Sequence, residues 1–217
     1  MRCRSRRSES DVRELWLGTN NAKKRAELER ILRPFGLALR TPAELGVPYE
    51  PVEDRPDFAG NAHAKAALLA RLAHGFALAD DSGLCVDALD GRPGVHSARY
   101  GGPGLDDRGR LLTLLRELDG VPPPRRTAHF TCSLCLCGPD GSVLAAIERE
   151  CPGTLLTAPT GDGGFGYDPI FVPSEFAGDP AHTFARLDAA TKDRLSHRGQ
   201  ALRALAERLP ALLARQG

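Results

Sequence analysis

The 217-residue sequence has no excess of charge of either sign. Lys and Arg number 29 against 28 for Asp and Glu, a net charge of +1. A general DNA- or RNA-binding surface usually carries a basic excess, so its lack argues against that class. A small phosphorylated ligand remains open, since it needs only a few local cations. No apolar run is long enough to span a bilayer. The opening MRCRSRRSES is basic, but no apolar stretch follows it, so it does not read as a secretory signal. The six cysteines also lack a metal-binding pattern. Cys132 and Cys135 have the spacing of a zinc half-site, yet no second pair follows. They lie in HFTCSLCLC, which reads as a strand, where residues three apart point to opposite faces. Buried free thiols in a core strand, in a reducing cytoplasm, fit this usage.

What is present is an ordinary soluble composition, 41% hydrophobic and 26% charged, with enough chain for a sizeable core. Residues 1–13 read as a basic, disordered extension and 14–217 as a single domain. Residues 15–18 form an apolar strand, followed by the turn Thr19-Asn20-Asn21 and a helix with Leu28, Ile31, Leu32 and Phe35 on one stripe. Asp57 is a candidate N-cap for a second helix through Phe58, Ala62, Lys65, Leu69 and Leu72. A strand over 76–79 is expected to end at Asp80-Asp81-Ser82-Gly83, with 84–89 resuming after a bend. A helix follows over 106–118, then a hairpin of 129–137 and 143–151 around Gly138-Pro139-Asp140-Gly141. A strand over 169–172 and one final helix, beginning at Asp188 or Thr191 and carrying Leu195, Leu202, Leu205 and Leu209, complete the chain. Helices alternating with strands early, and strands pairing locally later, predict an α/β fold with a mixed sheet.

Five polar clusters sit where strands meet helices, the crevices in which open α/β sheets bind ligands. Thr19, Asn20 and Asn21 precede a helix whose N-terminus favours phosphate, with Lys24 one turn in; the glycines of a Walker loop are absent. Glu53 precedes Asn61 and Lys65, which share one helix face otherwise rich in alanine, a face with room for a triphosphate. Asp80 and Asp81 repel each other unless a cation intervenes, and oxygen ligands of this kind suit Mg²⁺. In extended chain the two carboxylates face opposite sides, next to Ser82. In the glycine-dense loop 161–168, Phe165 and Tyr167 are placed to stack on a base, alongside Gly166 and Asp168. Lys192 and Ser196 share one face of the final helix, followed by His197 and Arg198, hydrogen-bond donors of the kind that read the oxygen edge of a purine. Each cluster alone also reads as a capped helix, a turn or a solvated face.

In combination and in order, GTNNAKKRAEL, FAGNAHAKA, LADDSGLCVDALDGRPGVHSARYGG, GDGGFGYDPIF and LSHRGQAL closely resemble the inosine/xanthosine triphosphate pyrophosphatase family. The resemblance implies an elongated mixed sheet with flanking helices and two lobes around a central substrate cleft, usually in a homodimer. It implies Mg²⁺-dependent hydrolysis of a nucleoside triphosphate to monophosphate and pyrophosphate. Carried over by motif, Thr19, Asn20, Asn21 and Lys24 hold phosphates with Lys65. Glu53 and Asp81 bind Mg²⁺, Asp81 is the general base with Asp80 in support, and Ser82 contacts substrate. Phe165, Gly166, Tyr167 and Asp168 frame base and sugar, and Lys192, His197 and Arg198 read the purine. Two rival readings share most of these residues: a nucleotide sensor without turnover, and a pyrophosphatase for ordinary or pyrimidine nucleotides.

Overall fold

The computed structural model describes residues 13–214. Residues 1–12, the bulk of the expected extension and the site of Cys3, lie outside them. Arg13 belongs to the fold, because its carbonyl accepts the Ala38 N–H.

Six strands form one mixed sheet: β1 (Glu14–Leu17), β2 (Ala38–Arg40), β3 (Ala77–Val86), β4 (Thr127–Cys137), β5 (Val143–Leu155) and β6 (Phe171–Pro173), in the order β2-β1-β3-β4-β5-β6. β1 runs parallel to β2 and β3, and the remaining pairs are antiparallel. The hairpin of β4 and β5 forms as its turn residues predict. The short β2 was not anticipated. The expected break at Asp80 does not occur either. β3 pairs without interruption from Ala77 opposite Cys137 to Val86 opposite Ala128, so both aspartates sit mid-strand.

The helices are α1 (Ala22–Leu32), α2 (Phe58–Ala73), α3 (Asp107–Glu117), α4 (Ala189–Leu195), α5 (His197–Ala206) and α6 (Leu209–Ala214). Asp57 caps α2 by accepting the Gly60 N–H, and Asp106 caps α3 through Gly109. The single final helix of the sequence reading is instead three. Ser196 is extended (φ −66°, ψ 150°), ends α4, and caps α5 by accepting the Gly199 N–H. Lys192 and Ser196 therefore do not share a helical face.

Strand alternation sorts the core. On one sheet face, Leu15, Leu17 and Leu78 pack with Leu28 and Leu32 of α1 and with Leu202 and Leu205 of α5. Further along the same side, Leu84, Val86, Phe130 and Phe171 pack with Leu111 and Leu114 of α3 and with Leu118, which caps its C-terminus. These two cores form the two lobes. On the opposite face, α2 lays Ala62, Ala66, Ala67 and Ala70 against Ala77, Ala79, Cys135 and Cys137. The alanine-rich face thus seats the helix close on the sheet and leaves no room for a triphosphate. Cys85, Cys132, Cys135, Cys137 and Cys151 are free thiols, all but Cys85 buried. Among the described residues no helix is long and apolar enough to cross a membrane.

Ala66 is fully buried in the α2–sheet contact. Ala66→Leu should overpack it and lower the unfolding free energy in urea by about 1–3 kcal/mol. Unchanged stability would contradict the close seating of α2.

Candidate active site

Leu78 and Leu84 point from one face of β3 into the two different cores. Between them on that face stand Asp80 and Ser82, so the seam between the lobes is polar. A cleft of about 530 Å³ opens above it. Every residue that the family resemblance assigns to phosphate, ion, base or purine lines this cleft, although they come from six separate stretches of chain.

Asp80 is fully buried. Its Oδ2 accepts from Lys24 Nζ at 3.0 Å, Arg198 Nε at 3.2 Å, Arg198 Nη2 at 3.1 Å and Ser82 Oγ at 3.2 Å. Its Oδ1 has no partner. Burial alone would raise this carboxyl, but Lys24 and Arg198 outweigh it and hold it far below the ordinary range, so it stays ionised.

Asp81 faces the other way, toward α2. Its Oδ1 accepts from Lys65 Nζ at 2.9 Å and its Oδ2 from Asn61 Nδ2 at 3.1 Å. Burial pushes its carboxyl up, and Lys65 and Asn61 offset only part of that. Two adjacent aspartates are thus tuned in opposite directions. Lys65 also reaches Glu53 Oε1 at 3.4 Å, which brings the expected pair of ion ligands to one ammonium group.

Asn21 is the N-cap of α1 and accepts the N–H groups of Lys23 and Lys24 at 2.9 and 3.1 Å, while Thr19 Oγ1 accepts the Asn21 N–H. Two of the helix's free N–H groups are therefore used internally.

At the far end, Arg198 is spent mainly on the protein. Nε bonds Asp80, Nη1 bonds Glu27 at 2.6 Å, and Nη2 bonds Asp80 and Ser82. Of its five N–H groups this leaves one. Lys192 bridges Asp168 at 2.7 Å and Glu27 at 3.1 Å. The Phe165 ring lies 5.0 Å from Lys192 Nζ and 5.8 Å from the Arg198 guanidinium. Tyr167 turns inward and donates its hydroxyl to the Ser97 carbonyl at 3.0 Å. His197 stacks on Phe130 at 4.8 Å, and its Nδ1 has no partner.

Glu27, Asn61 and Asp107 were missed as site residues. Glu27 left a trace, as an acid one residue before Leu28 and four before Ile31 on the apolar stripe of α1. Asn61 was noticed only as a neighbour of Lys65. Asp107 left no signal beyond an ordinary first-turn acid.

The Ham1 family model matches residues 15–208. The chain belongs to the Ham1 family. It is 46% identical over 190 residues to the dITP/XTP pyrophosphatase of Rhodopirellula baltica, covering 88% of this chain and 89% of that protein. It is 43% identical to the dITP/XTP pyrophosphatase of Desulforamulus reducens, covering 94% and 98%. Among solved structures it superimposes on a HAM1 protein from Coxiella burnetii with a TM-score of 0.82 at 34% identity, covering 92% of this chain and 100% of that one. The nucleoside-triphosphatase / dITP/XTP pyrophosphatase of Mycobacterium abscessus gives 0.70 at 38% identity, covering 88% and 97%. Membership accounts for the mixed sheet and for the order of the motifs along it.

Burial, with Arg198 beside it, holds the His197 imidazole well below its ordinary value of 6.5. The unfolded chain takes up this proton below about pH 6.5 while the folded chain does not. Stability from this group is therefore complete above that pH and declines below it, by at most about 1.4 kcal/mol per pH unit. His197→Gln should flatten that decline in urea unfolding between about pH 6.5 and 5. Equal slopes in both proteins would contradict a buried neutral imidazole.

Proposed function

We propose that the chain hydrolyses dITP, ITP and XTP to the nucleoside monophosphate and pyrophosphate, removing these bases from the nucleotide pool. The observation that carries this reading is the pair of adjacent carboxylates on opposite faces of β3 at the floor of the cleft, which Lys24, Lys65, Lys192 and Arg198 also line. The relatives named dITP/XTP pyrophosphatase support it over nearly the whole chain.

Asp81 is the base of this reading. Asp80 is taken up by two cations and Ser82, whereas Asp81 meets one cation, Lys65, and one neutral donor, Asn61, which leaves it lone pairs to receive a proton. Asp81 takes the proton of the attacking water, the water oxygen bonds to the α-phosphorus, and the bond to pyrophosphate breaks. Lys65 and Asn61 orient the carboxylate. Asp80 anchors Lys24 and Arg198. Thr19, Asn20, Asn21 and Lys24 meet the phosphates with Lys65. Lysines beside the leaving pyrophosphate stabilise its charge electrostatically.

Mg²⁺ fits the donor set. Among the described residues no group of three or more His, Cys, Asp or Glu side chains is gathered for a metal. Glu53 and Asp81 supply the one or two carboxylates that Mg²⁺ uses when water and substrate phosphates complete its shell. When bound, the ion neutralises charge on the phosphates and the leaving group.

Phe165, Gly166, Tyr167 and Asp168 frame base and sugar. The remaining Arg198 N–H, with His197 and Lys192, favours a 6-oxo purine, because a 6-amino group would leave buried donors facing a donor. Free thiols fit work in a reducing cytoplasm, and the family resemblance implies a homodimer.

With Mg²⁺ present, pyrophosphate should appear from dITP and XTP at least about a hundredfold faster than from dGTP and dATP. Orthophosphate as first product would contradict attack at the α-phosphorus. Comparable rates on all four would contradict the base pocket, and tight binding without turnover would favour a sensor.

A further inference from the structure

The loop 161–168 carries the aromatics of the base end, yet its first four residues are exposed and little packs on its tip. Gly166 has φ +59°, and a Cβ built there meets nothing within 4 Å. Hydrogen bonds hold the tip in place of packing. Lys23 of α1 donates to the Gly164 carbonyl at 2.9 Å. The Phe165 N–H donates to Asp168 Oδ2 at 2.8 Å, and Lys192 of α4 holds that same oxygen. The Gly166 N–H donates to Asp107 Oδ2 at 3.0 Å.

Asp107 differs from the other partners in where it is anchored. It opens α3, whose Leu111 and Leu114 are buried in the second core. Its other oxygen, Oδ1, accepts from Arg110 Nη2 at 2.7 Å, and Arg110 also donates to the Leu105 carbonyl. The carboxylate is thus clamped on one side by its own helix and offers the other side to the loop. Asp107 and Arg110 both line the cleft.

We propose that Asp107, oriented by Arg110, is a positioning residue that sets the tip at Phe165 and Gly166 against the base of the substrate. Its carboxylate bonds Arg110 and the Gly166 N–H at the base end, so its effect falls on recognition of the nucleoside and not on the chemical step. Ring position matters on this scale, since misplacement by about 1 Å can cost a hundredfold. The inference rests on the proposed function, and the test separates the two.

The full-length chain is compared with Asp107→Ala, Asp107→Asn and Arg110→Met. The readouts are the Kd for inosine monophosphate by calorimetry, KM and kcat for dITP, and inhibition by inorganic tripolyphosphate, which probes the phosphate end alone. Asp107→Ala should raise Kd and KM about tenfold, the scale of one charge-assisted hydrogen bond. The change in kcat should be smaller, and tripolyphosphate should inhibit as before. Asp107→Asn keeps an acceptor for the Gly166 N–H and should lie nearer the parent. Arg110→Met should weaken inosine monophosphate binding severalfold, and it carries the test if Asp107→Ala does not fold. Parent-like Kd and KM, an Asn variant no better than Ala, or tripolyphosphate inhibition lost in parallel would each overturn the inference. A parent chain that neither binds inosine monophosphate nor turns over dITP would overturn the proposed function instead.

Discussion

One buried negative charge organises the molecule. Asp80 is sealed in the seam between two hydrophobic cores, where an unpaired carboxylate costs several kcal/mol. Lys24 of α1 and Arg198 of α5 neutralise it. Arg198 is in turn held by Glu27 of α1, and Glu27 shares Lys192 of α4 with Asp168. The chain of ion pairs links three helices to β3 and to the loop that follows β5. Asp80, Arg198, Glu27 and Lys192 each hold two counter-charges, so the pairs form one connected network. The cleft exists because this seam is charged where its flanks are apolar.

The same strand presents the second aspartate to the opposite face, and the environment there differs. Asp81 meets one cation, Lys65, and a neutral donor, Asn61, both from α2. The alternation of a β-strand therefore yields two carboxylates, one residue apart, with separate functions. One is fixed as an anchor by two cations. The other has less compensation and is left able to accept a proton. The close seating of α2 through small side chains brings Lys65 and Asn61 within reach of Asp81.

Much of this was legible in the sequence, and the failures share a physical cause. The cap of α2 and the β4–β5 hairpin are local features, decided by residues within a few positions, and they appear as read. Several cleft-lining residues were legible where a motif pairs a polar group with a turn or a helix start, as at Thr19, Asn21 and Lys24. The break expected at Asp80 was wrong because two charges disfavour a strand locally. Continuous pairing with β4, some fifty residues away, and ion pairs from α1, α2 and α5 override that preference. The break at Ser196 was missed because the leucine spacing runs on through it. A Cβ on Gly199 would collide with the Asp193 carbonyl, so α4 and α5 meet too closely for a continuous helix pattern to reveal. Glu27 was passed over because its value depends on Arg198 and Lys192, distant in sequence and brought close only by the fold.

The claim that neighbouring aspartates serve different ends is tested most directly by measuring unfolding free energy and dITP turnover side by side for Asp80→Asn and Asp81→Asn. Asp80→Asn should lose about 3–5 kcal/mol, because Lys24 and Arg198 stay buried without their carboxylate. Asp81→Asn should lose less stability, because it strips a single ammonium, Lys65, which keeps Glu53 at 3.4 Å, and should lose turnover by at least about a hundredfold. Equal losses of stability in the two variants, or full turnover by Asp81→Asn, would contradict the account.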